Sequence, residues 1–469
     1  MATTTKPQKP TYEELVATIQ ELQARIVELE AELAEARKNS ETSSKPPSSD
    51  MVNPKPKNKK PGRPKKRKRG GQPGHPRHER KAFEESEIDN YIDYYLDGCP
   101  DCGGHIELDY EKLRILQQVD FVPAPIIINE HRSLGCWCES CQKMHYAPIP
   151  EDVRRAGLVG PRLTALVAYL KGACHCSFAT IRKFIRDVVG VKISRGHLRK
   201  VCAKVGDSLD TAYEQLLHLL PDEDRVNVDE TGHKASGKRM WTWCFRASLY
   251  TLFKIDASRG SQVLVEVLGN EFAGVLGCDY FSAYRKYMSD FNVLIQFCLA
   301  HLIRDVKFLV NHPNAKNRRY GTRILKSLRD MFHVIHRREA MTPSGFERRL
   351  KETGQDLLWQ ATHYAPPTRE AKNLARRFEN HGESYIQFMT TPDVDPTNNI
   401  AEQAIRFVVI DRHVTQGSRS EAGQRWLERI WTTIATCTQQ GRSVFDFLVQ
   451  SVVAHFSGNE APSLIFDTS

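Results

Sequence analysis

Past Pro221 the hydrophobic period of this 469-residue chain changes from helical to strand-like, and the order of elements that follows limits its fold more than any other feature. Residues 225–229 read as a short strand ending in Asp229. Two β-rich runs follow, Met240 to Ala247 and Leu249 to Ile255, separated by a tight turn, and Ser261 to Leu268 has helix spacing. Phe272 to Cys278 makes another strand, again followed by an acid, Asp279. Asn292 to Cys298 is a further apolar strand that runs directly into helical Leu299, Ala300 and His301. A three-strand meander, a helix, then two more strands with intervening helices together build an α/β sheet.

This is the element order of a ribonuclease-H-like α/β core. In such sheets polar residues at the carboxyl ends of neighbouring strands converge on one rim, which is where Asp229 and Asp279 are expected. Two carboxylates brought together can hold two Mg²⁺ ions, one activating a water or 3′ hydroxyl and the other stabilising the leaving oxygen of a phosphodiester. Each Asp taken singly is also an ordinary surface strand end. A third acid comes from Asn398-Asn399-Ile400-Ala401-Glu402-Gln403-Ala404-Ile405-Arg406, a helix that Pro396 and Thr397 start well. Asn399 lies three residues before Glu402 and Arg406 four after, so one face offers a metal-binding carboxylate, an amide and a phosphate-seeking guanidinium. The same spacing also fits a surface Glu–Arg pair.

The separation of Asp279 from Glu402 far exceeds what a bare core needs. Residues 316–395, rich in Arg, Lys and Glu, therefore read as a helical insertion between core segments at 221–315 and 396–456, with a tail at 457–469. Trp426 to Cys437 and Val444 to Phe456 are expected to be helices covering the sheet.

The N-terminal half reads as separate modules. Within 11–38, Tyr12, Ile19, Ile26 and Leu33 occupy one heptad position and Leu15, Leu22, Leu29 and Ala36 the other. This is a two-stranded parallel coiled-coil pattern that predicts a homodimer, although one amphipathic helix packed on its own protein would show the same stripe. Residues 39–88 read as a linker that cannot bury enough apolar surface to fold alone. Between Met51 and Arg80 there are twelve Lys or Arg against one acid, Glu79, so this stretch carries +11 of a net +10 and the rest of the chain about −1. Such a tether can lie along DNA phosphates by counterion release. Pro61-Gly62-Arg63-Pro64-Lys65 resembles the core of an AT-hook reading a narrow minor groove, which makes Arg63, Lys65, Lys66 and Arg67 candidate DNA contacts. A nonspecific solvated tail is the alternative.

Residues 89–150 hold two Cys-x-x-Cys knuckles, Cys99 with Cys102 and Cys138 with Cys141, a pattern that makes one tetrahedral thiolate site for a single structural Zn²⁺. Cys136, His105, His131 and His145 stand near enough in sequence to substitute for a ligand, and unmetallated buried cysteines are the alternative. Residues 151–220 are helical. Leu163, Leu166, Val167 and Leu170 form one apolar face, Phe178, Ile181, Ile185 and Val188 a second, and Ser194 caps a third segment carrying Arg195, Arg199 and Lys200. This fits a DNA-reading helix-turn-helix with Arg195 and Arg199 as contacts, or a purely structural helical hairpin.

A chain of this length and 40% apolar content builds more than one core. No apolar run approaches the roughly 20 residues of a membrane helix, and the N-terminus lacks a signal pattern, so no membrane association and a cytoplasmic, nucleoid-associated location are expected. In a reducing compartment the twelve cysteines are expected to ligate metal or be buried rather than form disulfides.

Several motifs together are specific: Val228-Asp229-Glu230-Thr231, Ser258-Arg259-Gly260, Cys278-Asp279-Tyr280-Phe281-Ser282-Ala283-Tyr284, Cys298-Leu299-Ala300-His301 and Asn398-Asn399-Ile400-Ala401-Glu402. With them the chain resembles the insertion-sequence-66 type of transposase, including its leucine-zipper-like helix, the Ser44 to Asp50 linker, the Gly70 to His75 segment, the two-knuckle module and the helix-turn-helix region. The resemblance implies that Asp229, Asp279 and Glu402 are the acid triad and that Cys298 and His301 form the Cys-x-x-His signature. His301 is grouped with the triad as a candidate catalytic residue, either reaching the phosphate or its flanking strand or holding helix to sheet. Asp411-Arg412-His413 departs from the Arg-Lys common in the family.

The implied activity is metal-dependent cleavage and strand transfer on double-stranded DNA, between the element's terminal inverted repeats and a target, with accessory proteins of the same element as possible partners. A ribonuclease-H-like nuclease or resolvase would share the acids without joining strands. A catalytically inactive DNA-binding regulator would use the basic, zinc and helical modules alone.

Overall fold

In a computed structural model the described residues are 11–38, 82–91, 101, 117, 126–133, 135–138, 140 and 142–465. The chain divides into two compact units, one of residues 1–56, 130–187 and 191–469 and a second of 57–129 with 188–190. In the second unit, Phe83 N–H donates to the Gln117 side chain at 2.7 Å and the Gln117 amide returns a bond to Phe83 O at 3.1 Å. Arg63, Lys65, Lys66, Arg67, Cys99, Cys102 and Cys141 lie outside the described residues, and of Cys138 only the backbone is described.

The first unit opens with α1 (Tyr12–Ala36), started by a capping box in which Thr11 and Glu14 exchange bonds. The heptad residues Tyr12, Leu15, Ile19, Leu22, Ile26, Leu29 and Leu33 are all exposed. A short antiparallel hairpin, β1 (Gly135–Cys138) and β2 (Lys143–Tyr146), precedes the helices α2 (Glu151–Ala156), α3 (Pro161–Gly172), α4 (Phe178–Phe184), α5 (Arg195–Ser208) and α6 (Asp210–Leu219). Ser194 caps α5 as its sequence predicts, its hydroxyl accepting from His197 N–H at 3.1 Å.

The core sheet contains β3 (Arg225–Ala235), β4 (Lys238–Arg246), β5 (Thr251–Asp256), β6 (Val275–Cys278) and β7 (Leu294–Phe297), in the order β5-β4-β3-β6-β7. β3, β4 and β5 form the expected antiparallel meander, and β6 and β7 add in parallel. Helices α7 (Gln262–Leu268) and α8 (Ser282–Phe291) connect the later strands. After them come α9 (Leu299–Val310), the insertion helices α10 (Ala315–His336), α11 (Pro343–Thr362) and α12 (Arg369–His381), and then α13 (Asn399–Thr415), α14 (Glu421–Gln439) and α15 (Val444–Ser457).

Two local expectations are corrected. β3 does not end at Asp229. It runs on to Ala235, because Ser236 and Gly237 at φ +50° and +79° make the positive-φ turn that a two-residue hairpin needs, and β4 pairs back along the whole length. Nor does the Glu402 helix start at Pro396. It starts at Asn399, and Asn398 makes no cap bond because its side chain is engaged with the sheet.

The outer edge of the sheet is closed by side chains. Along α14, Glu428, Thr432 and Thr436 fall one turn apart and accept the N–H groups of alternate β5 residues: Ile255 to Glu428 Oε1 at 2.7 Å, Phe253 to Thr432 Oγ1 at 3.0 Å and Thr251 to Thr436 Oγ1 at 3.2 Å. An edge strand left with free donors is a template for unwanted pairing, and here the helix satisfies them. Among the described residues no helix is long and apolar enough to cross a membrane.

Candidate active site

Asn227 and Gly277 are partners in the parallel β3–β6 register, and Asp229 and Asp279 each lie two residues further on, so they stand side by side beyond the paired segment. Asp229 Oδ1 accepts the N–H of Glu230 and Asp279 Oδ1 that of Phe281, both at 2.9 Å. Burial pushes the Asp229 carboxyl well above its usual range, and the negative charges of Glu230, Asp279 and Glu402 push it further in the same direction. Asp279 is also raised, by burial first, although the Phe281 N–H and Arg259 oppose it. Glu402 comes from a different part of the chain, in the first turn of α13, and belongs to the same negative field.

Glu402 is held from the α9 side. Its Oε1 lies 3.4 Å from His301 Nδ1, and Arg304 Nη2 lies 3.3 Å from each of these atoms. Burial and the neighbouring guanidinium lower the His301 pKa to about 3, so the imidazole is neutral. Cys298 Sγ, a His301 ring nitrogen and a Glu402 oxygen lie within 4.8 Å of one another, a cluster of potential metal ligands. Cys298 precedes the first turn of α9, and its sulfur accepts the backbone N–H of Asn398 at 3.1 Å.

Several residues quoted in the motifs without a role prove to organise the site. Glu230, its side chain only 3% exposed, receives Arg259 Nε at 2.9 Å and Nη2 at 2.6 Å on one oxygen and the Tyr284 hydroxyl on the other. Burial, with Asp279 adding to it, raises Glu230 to about 7 against these partners. Arg259 is itself sandwiched between Phe281 and Trp241, its guanidinium carbon 3.9 and 4.5 Å from the two ring centres. Asn398 Nδ2 donates to Val228 O and Asn398 Oδ1 accepts from Asn227 Nδ2, both at 2.8 Å. A Cβ on Gly277 would stand 2.3 Å from Asn227 Nδ2, so only glycine leaves room for this amide pair. A sequence signal exists in the adjacency of these residues to the acids, but nothing in it specifies the partners.

Arg406 is exposed on α13, as is Asn399, while the Glu402 side chain is 32% exposed. Arg195 and Arg199 are exposed on α5. The Asp411-Arg412 pair, where the chain departs from its resemblance, is occupied structurally. Asp411 is 1% exposed and meets His175 Nδ1 at 3.2 Å, and Arg412 Nη1 donates to Thr231 Oγ1 at 3.1 Å and to Gly232 O.

Residues 5–81 match a family of unknown function, DUF6444. An uncharacterized protein, y4qI, of Sinorhizobium fredii (strain NBRC 101917 / NGR234) is 24% identical over 346 residues, which cover 65% of this chain and 61% of that protein. The chain thus spans about three fifths of that relative's length. The sequence model of the Transposase IS66 family matches residues 156–425, which take in β3, β6, α9 and the first turn of α13 and amount to more than half of the chain. The chain belongs to the IS66 transposase family.

Proposed function

We propose that the chain is a DNA transposase with a ribonuclease-H-like core that cuts element ends and joins them to target DNA, using Asp229, Asp279 and Glu402 as its acids. One observation carries the reading: carboxylates from two adjacent parallel strands and a distant helix share one negative field, in which Asp279 and Glu402 both raise the cost of ionising Asp229. Such repulsion on a buried carboxylate costs stability, so its presence points to a functional site, and a divalent cation would relieve it. As hard oxygen donors Asp229, Asp279 and Glu402 suit Mg²⁺ and would hold it once their oxygens close on one ion, although among the described residues the ligand atoms that lie within 4.8 Å of one another are those of Cys298, His301 and Glu402. When bound, the metal supplies Lewis-acid stabilisation of a displaced phosphodiester oxygen and lowers the pKa of an attacking water or 3′ hydroxyl.

The chain's own residues supply position. Asn398 anchors the α13 start to β3, which brings the first turn carrying Glu402 to the strand of Asp229. Arg304 Nη2 reaches both the Glu402 carboxylate and Nδ1 of the neutral His301 ring, so His301 acts on Glu402 through Arg304 as a positioning residue. Glu230 is braced at the rim by Arg259 and Tyr284, where its charge adds to the field that opposes ionisation of Asp229. Exposed Arg406 on α13 is suited to a DNA phosphate, and Arg195 and Arg199 on α5 to duplex DNA in a helix-turn-helix. Arg63, Lys65, Lys66 and Arg67 would add salt-sensitive backbone contacts. One structural Zn²⁺ at Cys99, Cys102, Cys138 and Cys141, and a homodimer through the exposed α1 seam, complete the proposal.

The test is Mg²⁺-dependent nicking and joining of labelled element-end DNA, in the presence of proteins encoded by the same element. Asp229→Ala, Asp279→Ala and Glu402→Ala are each expected to abolish both steps while DNA binding persists. Nicking without joining would favour a nuclease, and activity surviving any one substitution removes that residue from the triad.

A further inference from the structure

The insertion carries a group of exposed rings that the chemistry above does not use. Trp359 and His363 stand one turn apart at the end of α11, their rings stacked with centres 4.8 Å apart and 14° between planes. Tyr364 meets Trp359 edge-on at 5.7 Å. Trp359 is 45% exposed and Tyr364 74%. These rings are held outward rather than left loose. Tyr364 sits at φ +57°, a left-handed conformation uncommon for a bulky side chain and costing about 1 kcal/mol or more. Arg323 Nη2 fixes that turn by donating to Tyr364 O at 3.2 Å, and the Tyr320 hydroxyl bonds to Ala361 O.

The helix that makes these bonds is strongly basic. From Lys316 to Arg329, α10 has six Lys or Arg and no acid. Lys316, Arg319 and Lys326 are exposed and take part in none of the ion pairs among the described residues, while exposed Arg318 donates to His312 O and Pro313 O. The Arg323 guanidinium carbon lies 5.8 Å from the Tyr364 ring centre, so cations and rings interleave on one surface.

We propose that Trp359, His363 and Tyr364 form a stacking platform for an unpaired DNA base, with the α10 cations on its flanking phosphates. Aromatic faces recognise bases through π-stacking, worth about 1–3 kcal/mol per base, and a positive strip tracks the backbone. In a duplex the base faces are already covered by their neighbours, so rings aimed outward gain nothing from it, which commits the surface to single-stranded or splayed DNA. The proposal takes from the transposase reading only that the ligand is DNA.

The test compares a labelled single-stranded oligonucleotide with a blunt duplex of the same sequence, binding to the full chain in chelator so that no cleavage intervenes. Trp359→Ala is expected to weaken single-strand binding roughly five- to a hundredfold and to change duplex binding less than about twofold, with Trp359→Phe retaining most of the affinity. Arg319→Gln and Lys326→Gln are each expected to lower the slope of log K against log salt by roughly 0.7. Unchanged single-strand binding by Trp359→Ala, or an equal loss on duplex, overturns the platform. Asp229→Ala protein is expected to bind the single strand as the intact chain does, so failure of the acid triad and failure of the platform are read separately.

Discussion

The side chains of Asn227 and Asn398 meet as a buried amide pair, Nδ2 of Asn227 donating to Oδ1 of Asn398 at 2.8 Å across 171 residues of chain. This pair, with the bond from Asn398 to Val228 O, ties the start of the Glu402 helix to the strand of Asp229, as Arg412 ties its end.

Asn398→Ala would leave the Asn227 amide and the Val228 carbonyl buried without their partner, at a cost of about 1–3 kcal/mol for each group not reached by water. It is expected to lower the urea midpoint and to reduce nicking far more than DNA binding. Gly277→Ala, whose new Cβ would displace Asn227, is expected to act in the same direction although it touches none of the acids. Full nicking by both variants would show that the amide pair does not set the position of Glu402.

Asp229 is the acid most opposed by its neighbours, so its neutralisation should stabilise the chain when metal is absent. Asp229→Asn is expected to raise the stability in chelator by on the order of 1 kcal/mol, read as a higher melting temperature, and to abolish the rise that Mg²⁺ gives the intact protein. The sign also fixes a pH trend. Carboxyls raised in the folded state contribute stability below their unfolded pKa, and that contribution is lost as pH rises through the folded value, about 7 for Glu230. Metal-free protein should therefore melt lower at pH 8 than at pH 6, with a smaller drop in Asp229→Asn, and a metal-free melting curve indifferent to that substitution would count against the shared field.

Much of this site is legible in the sequence. The succession of strands and helices through the core and the Ser194 cap follow from local period and turn chemistry, which the chain encodes within a few residues, whereas the placing of Asp229 beside Asp279 needs the parallel pairing of β3 with β6. What the sequence does not reveal are partners brought together by folding. Arg259 and Tyr284 sit in visible motifs, yet that they converge on Glu230 depends on the packing of a turn and a helix across 29 and 54 residues. The continuation of β3 beyond Asp229 is hidden because residues 230–235 mix polar and small side chains, and only pairing with β4 makes them a strand. The knuckle cysteines and the basic tether rest on spacing and composition alone.

The edge of β5 gives a test of the fold apart from the chemistry. Thr432→Val keeps the shape of the side chain but removes the acceptor of the Phe253 N–H in a fully buried position. A loss of about 1–3 kcal/mol in denaturant unfolding is expected, with Thr432→Ser losing less because its hydroxyl can still accept. Equal losses for the two variants would trace the effect to the methyl group and its packing instead.

His233 offers a pH switch of the opposite sign to the acids. It is buried on β3, its Nε2 3.2 Å from Ser418 Oγ, and burial, with Arg412 adding to it, lowers its pKa from 6.5 to about 4. The unfolded chain therefore takes up a proton that the folded chain refuses. The stability this group contributes is complete above pH 6.5, falls as the pH drops below that value and is gone near pH 4. His233→Gln is expected to be less stable than the intact protein at pH 7.5, through lost packing, but to lose less on acidification to pH 5. The difference between the two unfolding curves across that interval isolates the histidine from the carboxylates, whose contributions are common to both proteins. Parallel curves from pH 7.5 to pH 5 would mean that His233 is reached by water and titrates normally in the folded chain.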